Sequence, residues 1–118
     1  MDKKKYKEIL KELQKTLKNL QSSIPFKINK TIIFGSQAKG AAHEESDLDL
    51  VIISENFKGL NYLERAKIAL DLEWKIIDAL DKPVDLLFYS PEEWEKEETP
   101  IIKIAKKEGI EVYSDEGL

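Results

Sequence analysis

Apolar positions recur with two different periods along this chain, and the alternation between the periods predicts helices and strands. Residues 3–21 have apolar side chains at helical spacing, whereas the short apolar runs at 31–34, 48–53 and 83–89 have the length of buried strands. The helical stripe consists of Tyr6, Leu10, Leu13, Leu17 and Leu20. We therefore expect an amphipathic N-terminal helix ahead of a core of strands.

A second long helix is predicted between the strands at 48–53 and 83–89. Asn61 and Glu64 have the spacing of a capping box, which indicates a helix from there to about Leu80. Its apolar face is wide, and this width suits either deep burial or the docking of a partner. Arg65, the only arginine, is expected on the exposed side in a surface ion pair with Glu64, Asp71 or a partner. The apolar residues are Leu63, Ala66, Leu70, Trp74 and Ile77, with Ile68, Leu72 and Ile76 widening the face.

The C-terminal part of the chain predicts two further helices and a short strand. Ser90-Pro91 and Thr99-Pro100 each combine a capping hydroxyl with a proline in the first turn, as is typical of helix starts. Gly109 ends the second of these helices before an apolar strand at 110–113. Trp94 is expected to be a packing residue that covers the edge of the sheet.

Length and composition limit the class of protein. With 118 residues and 42% hydrophobic content, the chain is expected to form one domain, 1–118, with a core at 31–89 and a C-terminal segment at 90–113. No stretch approaches the roughly 20 apolar residues of a membrane span, and the lysine-rich start lacks the apolar core of a signal peptide. The absence of cysteine excludes disulfides and zinc–thiolate sites, and it fits a cytoplasmic protein.

Charge is distributed unevenly along the sequence. Residues 1–30 carry nine lysines against three acidic residues, a net charge of +6, so the remaining residues carry −10 of the total of −4. The basic segment is interpreted as a solvated helix face, with a contact surface for RNA, DNA or an acidic protein as the alternative. Nothing else favours nucleic-acid binding, because there is no basic stripe with interleaved aromatic residues and the acidic remainder would repel a phosphate backbone.

Acidic side chains at the start of two predicted strands are the strongest sign of chemistry. Asp47 and Asp49 are two residues apart, so on a strand they point to the same face, and Asp85 lies in the apolar strand at 83–89. Converging carboxylates repel one another unless a cation lies between them, and Mg²⁺ prefers such ligands. Taken singly, each acid could instead be a solvated strand end or a turn residue.

Together with a preceding turn, these acids resemble a known family. Gly35-Ser36, a ten-residue spacer, the pair Asp47 and Asp49, and then Asp85 are similar to the motif of the polymerase-beta-like nucleotidyltransferase superfamily, in particular its minimal nucleotidyltransferases. The resemblance implies a single-domain nucleotidyltransferase fold, α/β (α+β), with a small mixed β-sheet flanked by helices. It also implies that the Gly-Ser turn holds the terminal phosphates of a nucleoside triphosphate and that the three acids bind two Mg²⁺ ions and act in catalysis.

Other residues of the spacer qualify this resemblance. Gln37 and Lys39 stand where many relatives have arginine, and Lys39 keeps the positive charge but loses the bidentate fork. Lys39 and Ser46 are the further candidates for nucleotide binding, although Ser46 is equally well explained as a turn-capping residue. His43, the only histidine, is expected to be a loop residue.

The leading hypothesis is a Mg²⁺-dependent transfer of AMP from ATP to a hydroxyl group. A chain this short has no second domain to orient an acceptor, so a partner is expected to present it. The resemblance implies a helical HEPN-type partner protein and a role as the antitoxin of a toxin–antitoxin pair. The alternatives are a non-catalytic nucleotide-binding antitoxin or adaptor that masks a helical partner, and an aminoglycoside-type transferase that would form its acceptor pocket as a homo-oligomer. The base, the acceptor and the oligomeric state stay open at this point.

Overall fold

The computed structural model describes residues 3–35 and 48–115, and side chains from residue 7 onward within these ranges. The predicted boundaries of helices and strands agree with it to within one residue. No end was predicted for the helix that starts at Pro91, and the short 3-10 helix was not predicted. In chain order the elements are helix α1 (Lys3–Leu20), strands β1 (Lys30–Phe34) and β2 (Leu48–Ile53), helix α2 (Tyr62–Leu80), strand β3 (Val84–Tyr89), helices α3 (Pro91–Glu95) and α4 (Pro100–Glu108), and strand β4 (Ile110–Ser114). A short 3-10 helix, Glu55–Phe57, precedes α2.

The four strands form one mixed sheet in the order β3-β2-β1-β4. Strand β1 pairs antiparallel with both β2 and β4, whereas β2 and β3 run parallel. A parallel pair cannot be joined by a tight hairpin, so the chain crosses over between its two strands, and α2 is that crossover. The predicted class, an α+β fold with a small mixed sheet flanked by helices, is confirmed.

Helices cover both faces of the sheet. Helices α1 and α2 pack on one face, where Leu13 and Leu17 of α1 are fully buried against Leu50 and Ile52 of β2. Helices α3 and α4 cover the other face, where Trp94 and Ile102 pack on side chains of the two middle strands. Trp94 therefore covers the face of the sheet and not its edge, because its neighbours in that cluster include Ile32, Val51 and Ile53.

Side-chain caps fix where the helices begin. Asn61 at the start of α2 and Ser90 at the start of α3 each form the reciprocal bonds of a capping box, with Glu64 and Glu93 respectively. Thr99 accepts a hydrogen bond from the Ile102 amide at the start of α4. These bonds satisfy amide groups that have no partner inside the helix, so the predicted capping signals are confirmed. Among the helices of the described ranges, none is long and apolar enough to cross a membrane.

Helix α2 buries part of its wide apolar face and leaves the rest exposed. Its buried residues are Arg65, Ala69, Leu72 and Ile76, which recur at spacings of four, three and four. Leu63, Leu70 and Trp74, by contrast, are 64%, 53% and 62% exposed. The helix therefore carries two apolar stripes, and only one of them belongs to the core.

The expectation that Arg65 lies on the surface is wrong, because its side chain is 7% exposed. Its guanidinium donates to the carbonyl oxygens of Leu60 and Phe88, both at 2.9 Å, and to Glu93 Oε1 at 2.7 Å. It also lies 5.9 Å from the centroid of the Phe57 ring. Arg65 is buried because these acceptors replace the water it loses, and it joins α2 to β3 and α3.

Glu93 gives this contact a pH dependence. Burial raises the pKa of Glu93, but the hydrogen bonds from Arg65 and from the Ser90 amide outweigh that effect, so the pKa lies below its ordinary value of 4.5. A lowered folded-state pKa stabilises the fold at a pH above the unfolded value, and this stabilisation is lost as the pH falls through the folded value.

We expect Glu93→Gln to lower the free energy of unfolding by about 1 kcal/mol at pH 7, because a neutral amide accepts weaker hydrogen bonds from a guanidinium. The difference from the wild type should shrink as the pH falls below the ordinary value of 4.5, since the unfolded state then binds a proton first, and it should vanish below the lowered pKa of the folded state. Urea unfolding across this pH range measures the effect. The exposed Glu95→Gln on the same helix serves as the control, and an equal loss at every pH would contradict the assignment.

Gly109 forms a close contact between α4 and β1. A Cβ at this position would overlap the Ala105 carbonyl oxygen and come within 2.6 Å of Ile32 Cγ2. Its φ of −82° is open to any residue, so space alone requires glycine here.

Gly109→Ala should therefore lower the free energy of unfolding by about 1–3 kcal/mol, the usual cost of overpacking. Chemical denaturation with tryptophan fluorescence provides the measurement, since Trp94 is buried in the neighbouring cluster. Substitution of the exposed Lys107 by alanine should leave stability within about 0.5 kcal/mol of the wild type. Equal stabilities of the Gly109 and Lys107 variants would argue against a close contact.

Candidate functional site

The candidate site lies at the end of the sheet where β1 finishes and β2 begins. Gly35 follows the last residue of β1, and its φ of +78° lies in the left-handed region that glycine occupies without strain. A Cβ on Gly35 would come 2.5 Å from Asp49 Oδ2. Glycine is thus required twice at this turn, once by the backbone conformation and once by the nearby carboxylate.

Asp85 lies next to Asp49 across the parallel pair of strands. The register of β2 and β3 aligns the two residues as direct Cα partners, and Phe34 of β1 is the partner of Asp49 on its other side. Adjacent strands are about 4.8 Å apart, and residues in register on them point to the same face. The structure therefore brings Gly35, Asp49 and Asp85 together at one end of the sheet.

Both carboxylates lie on the face that α3 and α4 cover further along the strands. Asp49 alternates with the buried Val51 and Ile53, which belong to the cluster beneath those helices. Asp49 is half-buried and Asp85 is exposed, whereas the later residues of both strands are largely covered. This end of the sheet is thus where the apolar cover stops and water can reach the acids.

Adjacent carboxylates at this end of the sheet favour the binding of a cation, because like charges held close together repel each other. Paired carboxylate oxygens are the ligands that Mg²⁺ prefers. Within 7–35 and 48–115, side chains do not form a cluster of three or more metal-ligating residues, so this part of the chain supplies two carboxylates.

The remaining residues that the sequence suggested for this site lie outside the described residues, and their roles stay predictions. They belong to the segment 36–47, which joins Gly35 to Leu48. They are the nucleotide-binding candidates Ser36, Lys39 and Ser46, the acid Asp47, and the neighbouring Gln37 and His43.

Sequence reasoning missed two features that support the site. The contact between Gly35 and the Asp49 carboxylate was not foreseen, because it depends on the pairing of β1 with β2. Arg65 was missed as the residue that ties α2 to β3, the strand that carries Asp85. The signal for Arg65 was present, since it lies in series with Ala69, Leu72 and Ile76 at helical spacing.

Comparisons with known proteins identify the family and the fold. A family model described as a nucleotidyltransferase domain matches residues 3–112, which is nearly the whole chain. No functionally curated protein is similar enough in sequence to count as a match.

Several solved structures share the fold. A candidate nucleotidyltransferase from Sulfolobus solfataricus has a TM-score of 0.61 at 21% identity, over 94% of this chain and 85% of its own. A toxin–antitoxin complex with AMP-PNP has a TM-score of 0.60 at 21% identity, over 87% of this chain and 74% of the other. A complex of tri-AMPylated Shewanella oneidensis HEPN toxin with MNT antitoxin has a TM-score of 0.55 at 17% identity, over 92% and 72%. Likenesses at these identities establish a common fold.

We expect Asp85→Asn to change the response of the protein to Mg²⁺ more than it changes stability. Without divalent cations the variant should lie within about 0.5 kcal/mol of the wild type, because Asp85 is exposed. Added Mg²⁺ should raise the unfolding temperature of the wild type and have a much smaller effect on the variant. Differential scanning calorimetry with and without Mg²⁺ measures both effects.

Asp78→Asn is the matched control, because Asp78 is an exposed acid of α2, on the other side of the sheet. It should respond to Mg²⁺ as the wild type does. A full response of Asp85→Asn to Mg²⁺ would show that Asp85 does not contribute to cation binding.

Proposed function

Because the chain belongs to the nucleotidyltransferase domain family, we propose that it transfers AMP from ATP to a hydroxyl group of a partner protein in a Mg²⁺-dependent reaction. The observation that supports this proposal most directly is the register that sets Asp49 beside Asp85, next to the glycine turn at Gly35. This combination supplies carboxylates that can bind a metal and, at the same end of the sheet, a glycine turn whose backbone amides a phosphate can approach.

Each residue of the site has a role in this proposal. Gly35 and Ser36 bind the terminal phosphates of ATP, because glycine lets backbone amides approach an anion closely and serine adds a hydroxyl donor. Lys39 and Ser46 are further contacts to the nucleotide. Asp47, Asp49 and Asp85 would hold two Mg²⁺ ions, whose chemistry is to neutralise the phosphate charges and to lower the pKa of a bound hydroxyl.

The transfer itself is a displacement at the α-phosphorus of ATP. The acceptor oxygen forms a bond to this phosphorus, the bond to the β-phosphate oxygen breaks, and pyrophosphate leaves. Asp85 is the acid best placed to orient the acceptor hydroxyl and to take its proton, because it is exposed whereas Asp49 is half-buried. Gly35 keeps the Asp49 carboxylate in position, since any side chain there would displace it.

The acceptor is proposed to be a hydroxyl of a HEPN-type toxin, with this chain as the antitoxin of the pair. Support comes from solved complexes of the same fold, one of which contains a tri-AMPylated HEPN toxin and another AMP-PNP. An external acceptor also fits the exposure of Asp85, because a hydroxyl on another protein can reach it from solvent. Positioning by the partner then supplies the orientation that this small chain does not provide alone.

A comparison of two glycine variants tests the proposed chemistry. Gly35 and Gly59 both have a φ of +78°, but only at Gly35 would a Cβ meet a carboxylate, since nothing lies within 4 Å of one at Gly59. Gly35→Ala should reduce the transfer of label from α-labelled ATP to the HEPN-type partner by roughly a hundredfold or more, as should Asp49→Asn. Gly59→Ala should carry a similar backbone strain of about 1–2 kcal/mol and retain activity.

Label transfer is measured by electrophoresis of the partner after incubation with Mg²⁺, and circular dichroism confirms that each variant is folded. Transfer that survives Asp49→Asn would contradict the proposed role of the acids. If all acid variants still neutralise the toxin, the chain acts as a masking antitoxin and the enzymatic proposal is wrong.

A further inference from the structure

An apolar stripe on α2 lies exposed on the side of the molecule away from the acids. Leu63, Leu70 and Trp74 are each more than half exposed and recur at spacings of seven and four, so they form one line along the helix. From Leu63 to Trp74 the stripe extends about 16 Å at the usual helical rise. Large apolar side chains gathered in this way typically mark a protein contact surface.

The location of the stripe limits what can bind to it. Helix α2 covers one face of the sheet, while Asp49 and Asp85 point to the other. A protein bound to the stripe is thus separated from the acids by the sheet, and it leaves the site accessible. The stripe is therefore distinct from the surface that an acceptor hydroxyl must approach.

The charged residues beside the stripe have opposite signs, so this surface is complementary to a second copy of itself. Lys67 and Asp71 lie one turn apart, and both line an open groove of about 580 Å³ together with Leu70 and Trp74. A twofold axis across α2 near the level of residue 69 would place Lys67 of each copy opposite Asp71 of the other. The same axis would bring Leu63 of each copy next to Trp74 of the other.

We infer that the occupant of this stripe is a second copy of the same chain, packed through an antiparallel pair of α2 helices. In an isologous contact every interaction occurs twice, so the two apolar contacts and the two ion pairs reinforce one another. Asp71 forms an ion pair with Lys75 of its own helix, with Lys75 Nζ 2.9 Å from Asp71 Oδ2, and in the dimer it would lie between two ammonium groups. The two acid sites would face away from the dimer axis on opposite sides.

The size of the contact sets the expected strength of the dimer. One helix from each copy buries less than the roughly 800 Å² per partner of a standard interface, so we expect a micromolar dissociation constant. Sedimentation equilibrium between about 1 and 500 μM should therefore show a monomer–dimer transition. Fluorescence provides a second readout, because Trp74 becomes buried on association whereas Trp94 is buried in both states.

Charge reversal tests both the partner and the register. Lys67→Glu alone should raise the dissociation constant about tenfold or more, because both ion pairs become acid–acid contacts, and Asp71→Lys alone should do the same through contacts between ammonium groups. An equimolar mixture of the two variants should dimerise like the wild type, since every crossed contact is again attractive. Lys75→Ala controls for the loss of the Lys75 ion pair in Asp71→Lys.

The outcome of these measurements decides the inference. Association that depends on concentration, is weakened in each single variant and is restored in the mixture supports the antiparallel dimer. A wild type that stays monomeric up to about 500 μM overturns it and leaves the stripe to another protein. The proposed register is overturned if neither charge reversal changes the dissociation constant, or if the mixture of the two variants fails to associate. Nucleotidyl transfer is not needed for any of these readouts, so the proposed function can fail or succeed independently.

Discussion

Two like charges held side by side are the constraint on which this structure depends. The parallel register of β2 and β3 places Asp49 beside Asp85. Because the backbone pairing sets this proximity, a change of side-chain rotamer cannot remove it. The arrangement is tolerable because it occurs where the strands start, with one acid half-buried and the other exposed. Further along the same strands, full burial would make such a pair far more costly. The sheet therefore places its two adjacent acids at the end where the proposed cation and substrate would bind.

The two faces of the sheet differ in the residues that they carry and in the helices that cover them. One face carries the acids and, further along, the cluster under α3 and α4, while the other is covered by α1 and α2. Arg65 links the elements on the two faces. It belongs to α2, and its guanidinium donates hydrogen bonds to the Phe88 carbonyl oxygen and to the Glu93 carboxylate. Through this side chain the helix with the exposed stripe is joined to the strand that carries Asp85. The proposed chemistry and the proposed association would thus use opposite sides of the sheet and would not compete for surface.

Local signals in the sequence predicted the elements well, whereas relations between distant segments were less accessible. The capping residues Asn61, Ser90 and Thr99 act on amides within a few residues, so their spacing alone located the helix starts. The convergence of Asp49 and Asp85 opposite the turn at Gly35 was inferred from the acid embedded in an apolar strand together with the family resemblance, because strand order is not encoded in any short window. The close approach of Gly35 to the Asp49 carboxylate depends on the pairing of β1 with β2, which no local pattern revealed.

Helix α2 shows where periodicity becomes ambiguous. Apolar residues occur around more than half of its circumference. Helical spacing shows which side chains share a side of the helix, but it does not show which side packs on the sheet. The wide apolar face left open whether Leu63, Leu70 and Trp74 are buried or contact a partner. The structure leaves these three side chains exposed and buries the side with Arg65, whose guanidinium finds acceptors there. Asp47 belongs to the segment 36–47, which lies outside the described residues, so the described part of the site consists of Gly35, Asp49 and Asp85.

The crossover through α2 has a consequence for how the molecule assembles. Strand β2 can pair with β1 early, but β3 reaches its parallel place only after about thirty intervening residues have been ordered, a connection of high contact order that is slow to close. The contact between Asp49 and Asp85 therefore requires that the segment containing α2 has closed this crossover. A partly folded chain in which β2 is paired with β1 but not with β3 would have no paired acids, so the proposed chemistry depends on this one closure.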